Sequence, residues 1–300
     1  MQIIINNSLI TEQDWNKQIS KFRKETKIIN NYALLKKDIK YSLIQAIKKR
    51  TPKQGFGVFF SGGVDSTLIA FILKRFSDDF FCYTIGFENS QDLFWAKKIA
   101  KECSFRLKHK TLTLEQGDQI LKQSVSILGE NANVVNVGVA SVELACIQLA
   151  ESDNINTFFS GLGSEEIFAG YQRHELSKDI NKECWTGLQK MWQRDLIREY
   201  ILSKATNTAF LTPFLDKTLI QDAMKAPSKY KIKNHIKKYI LREIALEIGL
   251  KKEFAFRPKK AAQYGSGFDK ILLKLTKKHG FKYKKDYIKY LGNNKQYHNN

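Results

Sequence analysis

Short apolar runs alternate with helical patterns along the first half of the chain, and this alternation restricts the fold more than any other feature. The helical patterns repeat apolar residues every three or four positions, as a helix with one buried face requires. Strands separated by helices favour parallel pairing in a sheet whose two faces are both covered. We therefore predict an α/β domain with a parallel, doubly wound sheet. The predicted strands cover residues 57–60, 80–87, 106–114 and 155–160.

The rest of the chain lacks this alternation. From about Ser177 onward the strand pattern disappears, and residues 179–204 and 237–248 are typical of helices. Residues 1–31 are polar and weakly patterned. We therefore expect three parts, which are an N-terminal extension (1–34), the α/β domain (35–175), and a mostly helical lobe with a basic C-terminal tail (176–300).

Composition excludes several classes of protein. Apolar residues make up 43% of the chain, enough for a real core, so global disorder is excluded. The four cysteines form no C-x-x-C pair, which gives a zinc or iron–sulfur site no support. No run approaches about 18 apolar residues and no signal cleavage pattern is present, so we expect a cytoplasmic protein without a membrane span. The net charge of +20 suits an anionic partner without choosing among nucleotide, nucleic acid and membrane surface.

A glycine-rich loop, SGGVDS at residues 61–66, joins the first predicted strand to an apolar helix. Two glycines allow a tight turn that brings backbone N–H groups against a ligand, and the helix directs its positive end at the same place. Asp65 would repel a bare phosphate, so its presence implies a bridging Mg²⁺. The loop has no lysine and no Walker A pattern, which argues against a conventional P-loop.

A second glycine-rich segment, SGLGSEE at residues 160–166, follows the last predicted strand. Because ligands bind outside the carboxyl ends of parallel strands, the two loops are expected to flank one crevice. Glu165 and Asp65 would then supply oxygen ligands to a magnesium ion held mainly by phosphates. Taken alone, the second segment also fits a simple turn with an acidic helix start.

The segment FFSGGVDSTLIA (59–70) resembles the pyrophosphate-binding loop of the ATP-pyrophosphatase enzymes, which split ATP between its α and β phosphates. Together with SGLGSEEIFAGY (160–171), it resembles the synthetase domain of the asparagine synthetases, over residues 35 to about 275. Within that family, the resemblance is strongest to a stand-alone branch that lacks the glutaminase domain. The resemblance also implies a sheet like that of the adenine nucleotide alpha hydrolases. Further matching stretches are TIGF (84–87), RDLIR (194–198), PFLD (213–216), YILRE (239–243) and RPKK (257–260).

The resemblance also implies roles for individual residues. Asp65 and Glu165 would hold Mg²⁺, and Lys259 would neutralise charge during adenylation and amide formation. The cofactors implied are ATP and Mg²⁺. The residues implied to surround the nucleotide are Phe60, Ser61, Gly62, Gly63, Asp65, Ser66, Ile85, Ser160, Gly161 and Gly163.

Three departures from the family pattern concern the acceptor half of the site. The synthetase part begins within about 35 residues of Met1, so we expect no glutaminase, and ammonia or a separate glutaminase would supply nitrogen. The family usually places Glu where this chain has Leu162, and leucine can neither act as a base nor hydrogen-bond an amine. The charged residues that often precede PFLD are replaced by Ala209-Phe210-Leu211-Thr212. Aspartate as the substrate is therefore in doubt.

The sequence favours an ATP-dependent ligase that adenylates a small-molecule carboxylate, releases pyrophosphate and transfers the acyl group to nitrogen. A first alternative is an RNA-modifying enzyme with the same loop that acts on tRNA, which the net charge of +20 would suit. A second alternative is a non-catalytic nucleotide-binding subunit. His174, beside the second segment, is expected at the surface.

Overall fold

The computed structural model describes residues 3–5, 8–258 and 260–293. Within these residues a five-stranded sheet forms the centre, in the order β5-β4-β3-β6-β7, and every neighbouring pair of strands is parallel. Two small antiparallel pairs, β1 with β2 and β8 with β9, lie outside it. The strands are β1 (Ile4–Ile5), β2 (Ser8–Leu9), β3 (Phe56–Phe59), β4 (Phe80–Gly86), β5 (Leu107–Thr111), β6 (Thr157–Phe159), β7 (Ala209–Leu211), β8 (Ile232–Lys233) and β9 (Ile236–Lys237).

Helices connect the strands and fill the second half of the chain. Several begin at a side chain that accepts a hydrogen bond from the first turn, as Asn31, Ser90 and Asp179 do. Short 3₁₀ turns and one π-helical segment, Trp192–Leu196, separate some of them.

The helices of the first half are α1 (Glu12–Glu25), α2 (Tyr32–Lys48), α3 (Val64–Leu73), α4 (Gln91–Glu102), α5 (Leu114–Leu128), α6 (Val134–Ala150), α7 (Ser164–Ile167) and α8 (Gln172–Leu176). Those of the second half are α9 (Ile180–Met191), α10 (Ile197–Thr206), α11 (Lys217–Met224), α12 (Ser228–Lys231), α13 (Tyr239–Ile248), α14 (Lys252–Ala255), α15 (Ala262–Gly265), α16 (Phe268–Lys278) and α17 (Lys284–Asn293).

The central sheet is covered on both faces, which confirms the predicted parallel, doubly wound architecture. Successive side chains of a strand point to opposite faces. On β4, Phe80 and Cys82 belong to a core that includes α2 and α3, whereas Tyr83 and Ile85 belong to a second core that includes α5 and α6. The sheet is therefore a shared wall between two apolar layers.

Helix α6 is the central element of the second layer. Together with the 3₁₀ turn that follows it, residues Val134–Asp153 are long and apolar enough, by length and composition alone, to cross a membrane. The segment contains no long uninterrupted apolar run, because Asn136, Glu143 and Gln148 interrupt it. In the fold, 61% of its most apolar window is buried, as is typical of a core helix.

The N-terminal extension contains a helix that its weak patterning did not predict. Thr11 caps α1 by accepting a hydrogen bond from the backbone of Asp14. Trp15, Ile19 and Phe22 then recur on one buried face, separated by charged and polar residues. Trp15 is fully buried, and its indole nitrogen donates to the carbonyl of Leu188 at 2.8 Å. Helix α1 therefore packs against α9 of the second half.

The region beyond residue 177 was predicted to lack strands, and this is wrong, because β7, β8 and β9 all lie there. Strand β7 pairs with β6 along Thr157–Phe159 and forms one edge of the central sheet. Three residues are too few for a periodic pattern to identify, so only the tertiary pairing defines the strand. The proposed division near residue 175 stays a prediction, but the sheet itself takes strands from both sides of it.

Replacing Trp15 by Ala is expected to lower the free energy of unfolding by about 3–5 kcal/mol, because a fully buried aromatic side chain leaves a cavity. Trp15→Phe should cost less, about 1–3 kcal/mol, since chiefly the hydrogen bond to Leu188 is lost. Urea unfolding followed by circular dichroism measures both, with the exposed Lys17→Ala as control. Equal stability of Trp15→Ala and the control would contradict the packing of α1.

Candidate active site

A cavity of about 420 Å³ opens at the carboxyl ends of β3 and β6. These two strands are neighbours at the centre of the sheet, and the chain runs from β3 to β4 and β5 on one side and from β6 to β7 on the other. Such a reversal of strand order leaves a crevice in which ligands bind. The sequence-predicted site residues that line the cavity are Phe60, Ser61, Asp65, Ser66, Ile85, Ser160, Gly161 and Glu165.

The loop after β3 turns sharply at Gly62, whose φ is +66°. A Cβ there would also lie 3.0 Å from the backbone of Trp95 and Ala96. Both the positive φ and this close approach therefore favour glycine at position 62. Gly63 is the N-cap of α3. Ser66 Oγ donates to the Gly63 carbonyl at 3.3 Å. The amino end of α3 therefore opens toward the cavity, as in an anion-binding loop.

The loop after β6 has a similar construction. Ser160 Oγ accepts a hydrogen bond from the backbone of Leu162, and Gly163 has a φ of +96°. A Cβ on Gly163 would overlap the side chain of Leu215. Gly163, like Gly62 and Gly63, does not line the cavity. Among the described residues, these three predicted nucleotide contacts therefore shape the loops rather than the cavity wall.

Lys238 joins the two predicted metal ligands, and the sequence reasoning missed it. Its Nζ lies 2.8 Å from Asp65 Oδ2 and 2.7 Å from Glu165 Oε1, and it donates to Ser164 Oγ at 2.9 Å. Burial of Lys238 opposes its charge, but the carboxylates of Asp65 and Glu165 outweigh burial and raise its pKa. The two carboxylates therefore do meet over a shared cation, and that cation is an ammonium.

Gly170 makes room for this contact. A Cβ at Gly170 would overlap Glu165 Oε2 and Lys238 Cε, so any other residue would push the carboxylate or the lysine aside. Lys238 itself adopts a φ of +57° at the N-cap of α13, a conformation that a lysine rarely takes. Such strained backbone conformations persist where the surrounding contacts hold them in place, and they are common at functional sites.

Arg257 ties the segment after α14 to the first loop. Its Nη2 lies 3.1 Å from Asp92 Oδ1, and its Nη1 donates to the carbonyl of Ser61 at 3.3 Å. Both members of this ion pair are buried. Farther along the same segment, Gln263 lines the cavity. Lys259, the predicted catalytic residue between these two positions, lies outside the described residues.

The wall of the cavity formed by α6, the π-helical segment and α10 is acidic, which the sequence reasoning also missed. Arg198 is buried and contacts Asp195 Oδ1 at 3.1 Å and Glu199 Oε1 at 2.9 Å. Glu143 lies beside them; burial, and then the charge of Glu199, raise its pKa well above the ordinary value. Glu143, Asp195, Arg198 and Glu199 together are called the acidic wall below.

Leu162 is half-buried and lines the same cavity as the first loop and the acidic wall. Its side chain offers no hydrogen bond to a ligand. Polar recognition in this part of the cavity therefore has to come from other residues, and the acidic wall supplies them.

His174 was expected at the surface, and this is wrong. Its side chain is fully buried in α8, and its Nδ1 accepts a hydrogen bond from the backbone of Tyr171 at 3.1 Å. Burial, and then the nearby charge of Arg173, lower its pKa from 6.5 to about 3. His174 is therefore neutral, and it does not line the cavity.

Comparisons with known proteins identify relatives of this chain. The protein-family model described as "Asparagine synthase" matches residues 38–179 and 172–280. A protein of Methanocaldococcus jannaschii assigned as glutamine-hydrolysing asparagine synthetase 1 is 29% identical over 76% of this chain and 49% of its own length. Glutamine-hydrolysing asparagine synthetase 1 of Lotus japonicus is 26% identical over 62% of this chain and 34% of its own. The chain thus spans half or less of the length of these relatives.

Among solved structures, the NH3-dependent NAD synthetase from Campylobacter jejuni superposes with a TM-score of 0.33 and 18% identity. The match covers 55% of this chain and 77% of that one.

Replacing Lys238 by Met is expected to lower the free energy of unfolding by about 3 kcal/mol at pH 8, because two carboxylates lose their shared cation. The loss should shrink toward pH 5, since a bound proton then replaces the missing ammonium. Urea unfolding at both pH values measures this, with the neighbouring Lys237→Met as control. A small loss that does not change with pH would contradict the bridging role.

Replacing His174 by Asn should remove a pH dependence of stability. Because the pKa of His174 is lower in the folded state, protons bind preferentially to the unfolded state between pH 6.5 and about 3, and stability falls as pH falls. The advantage of the wild type over His174→Asn should be constant above pH 7.5 and decline by at most about 1.4 kcal/mol per pH unit below 6.5. Urea unfolding from about pH 8 to about pH 5 tests this. An advantage that stays constant would contradict it.

Proposed function

The chain belongs to the asparagine synthase family, and from that premise we propose that it is an ATP-dependent carbon–nitrogen ligase that forms AMP. Its substrate would be a small-molecule carboxylate. The reaction would release pyrophosphate and pass the acyl group to nitrogen. One observation carries the proposal: two glycine-rich loops at the switch point of the sheet bring Asp65 and Glu165 together over Lys238.

The proposed reaction has two steps. In the first, a carboxylate oxygen attacks the α-phosphorus of ATP, the bond to the oxygen that bridges the α and β phosphates breaks, and pyrophosphate leaves with the bonding electrons. In the second, nitrogen attacks the acyl carbon, the bond to the AMP oxygen breaks, and nitrogen loses a proton. The loop at 61–66 would hold the pyrophosphate through backbone N–H groups and the amino end of α3. Positioning and charge neutralisation would then provide most of the acceleration.

Phe60, Ile85, Ser160 and Gly161 would form the adenosine side of the site. All four line the cavity beside the first loop. Phe60 and Ile85 are buried apolar residues at the ends of adjacent strands, and Ser160 and Gly161 follow β6. Apolar walls with a few polar groups are typical of small-molecule sites.

The donor set fits a magnesium ion that arrives with ATP. Asp65 and Glu165 are hard oxygen ligands held within contact of one ammonium, close enough to share a second cation. No group of three or more His, Cys, Asp or Glu side chains in the described part of the chain could hold a metal ion by itself. This agrees with an ion coordinated mainly by phosphate oxygens. When bound, Mg²⁺ would neutralise charge on the phosphates.

Lys238 would contribute a second positive charge. It is 4% exposed, so its ammonium acts at low dielectric, where it interacts strongly with a developing anion. In the proposal it keeps the two carboxylates together and helps to neutralise the departing pyrophosphate.

Lys259 is proposed as a catalytic residue that stabilises charge in both steps. Support comes from its described neighbours on either side. Arg257 donates to the carbonyl of Ser61 in the first loop, and Ala261 and Gln263 line the cavity. Ammonia or a separate glutaminase is proposed as the nitrogen source.

The direct test is pyrophosphate release from ATP and Mg²⁺ with a panel of carboxylic acids, for wild type and Asp65→Asn. Loss of the carboxylate that contacts Lys238 should lower kcat/KM by about 100-fold or more while the fold persists. The control is Asp78→Asn, at an exposed position between α3 and β4, and its kcat/KM should match that of the wild type.

Other outcomes would select another function. ATP binding without pyrophosphate release across the whole panel would contradict a ligase and favour a nucleotide-binding subunit. Pyrophosphate release that requires tRNA, with binding that weakens steeply as salt rises, would favour RNA modification.

A further inference from the structure

The carboxyl group of Glu143 is buried without a matching cation. Residue Glu143 is 8% exposed and Glu199 is 6% exposed, and both line the cavity. No donor among the described residues reaches Glu143 Oε2 or Glu199 Oε2. Buried carboxylate oxygens normally have hydrogen-bond partners, so these two call for an explanation.

The arginines next to them donate to other carboxyl oxygens. Arg198 is the buried guanidinium of the acidic wall; its Nη1 donates to Asp195 and its Nη2 to Glu199, while its Nε has no partner among the described residues. Arg194 donates from Nε to Asp195 Oδ2 and from Nη2 to Glu166 Oε1, both at 2.7 Å. The acidic wall therefore has three carboxyl groups around one fully buried arginine, and negative charge exceeds positive charge on the Glu143 side.

A proton shared between Glu143 and Glu199 is the simplest balance for this excess, and the raised pKa of Glu143 agrees with it. A ligand cation would balance it better, because it supplies several donors and a full charge. An ammonium group has three donors, and Gln263 Oε1 is a further buried acceptor without a donor in the same cavity. A divalent metal fits less well, because Arg198 lies in direct contact with Glu199.

We propose that Glu143 and Glu199 bind a cationic nitrogen of the substrate, so that the acidic wall selects an amine-bearing substrate class. The inference rests on the proposed function, because the same cavity would hold the acid that is adenylated. The nitrogen has two sources, an ammonium group on that acid or the ammonium ion that donates nitrogen. Since Leu162 offers no polar group, the selection comes from α6 and α10 instead of the loop after β6.

Isotope exchange between pyrophosphate and ATP tests the acid, because it reports adenylation without a nitrogen donor. The acids are used in matched pairs, aspartate with succinate and β-alanine with propionate, alongside the other common amino acids. The wild type should prefer the amine-bearing member of a pair. Glu143→Gln should raise the KM for that member about tenfold or more and leave the KM for ATP unchanged. The exposed Glu130→Gln is the matched control.

Amide formation from ammonium chloride tests the other source. If exchange is the same for both members of each pair, a KM for ammonium raised at least about tenfold in Glu143→Gln still supports the site. Unchanged KM values in both assays would overturn the site while the ligase proposal stands.

Calorimetric titration tests amine binding at Glu143 and Glu199 directly, without a need for turnover. Amino acids and ammonium chloride are titrated separately into wild type, Glu143→Gln and Glu199→Gln in the presence of a non-hydrolysable ATP analogue. Binding of at least one of them, weakened about tenfold or more by Glu143→Gln with an unchanged thermal midpoint, supports the proposal. Absence of any such weakening overturns it. Absence of exchange with every acid, in a protein that binds these amines, would refute the ligase and not the amine site.

Discussion

The contact of Lys238 with Asp65 and Glu165 is the interaction on which the rest of the site depends. The two carboxylates follow different strands, and without a cation between them their like charges would repel each other. One buried ammonium turns that repulsion into attraction and fixes both loops against α13. Gly170 is the accompanying constraint, because any side chain there would occupy the space of the contact. The fold's part is to bring β3 and β6 together so that the loops end within reach of one lysine.

A second balance of charge separates the two ends of the cavity. At the end near the first loop, backbone N–H groups at the amino end of α3 suit phosphates. Asp65 and Glu165 carry one more charge there than Lys238 balances, which suits the Mg²⁺ proposed to arrive with ATP. At the acidic wall, carboxyl groups outnumber the buried guanidinium of Arg198, which suits a cation. In the proposal the two ends of the cavity therefore hold different groups, the triphosphate with its metal ion at one end and the amine at the other.

Much of the fold could be predicted because its signals are local. The strands around 57–60 and 80–87 are continuous apolar runs, and SGGVDS has the composition of an anion-binding turn. The elements that could not be predicted depend on distant partners. Strand β7 is three residues long and is defined only by its pairing with β6. Helix α1 is defined by burial of Trp15 against α9.

The residues of the site also fall into those that a local pattern could predict and those that only the tertiary fold defines. Asp65 and Glu165 could be placed together because both follow strand ends of one sheet. Lys238 could not be chosen from a chain with 50 lysine and arginine residues, since nothing local marks the one that reaches them. Glu143 and Glu199 lie on helices whose apolar pattern they merely interrupt, so their contact with the cavity depends on the tertiary fold.

The most direct measurement is a crystal structure with Mn²⁺ and an ATP analogue that cannot be cleaved between its α and β phosphates. The account predicts an anomalous manganese peak bound by Asp65, Glu165 and the phosphates, with the triphosphate against residues 61–66. A nucleotide bound at another edge of the sheet, or a metal that touches neither carboxylate, would contradict it.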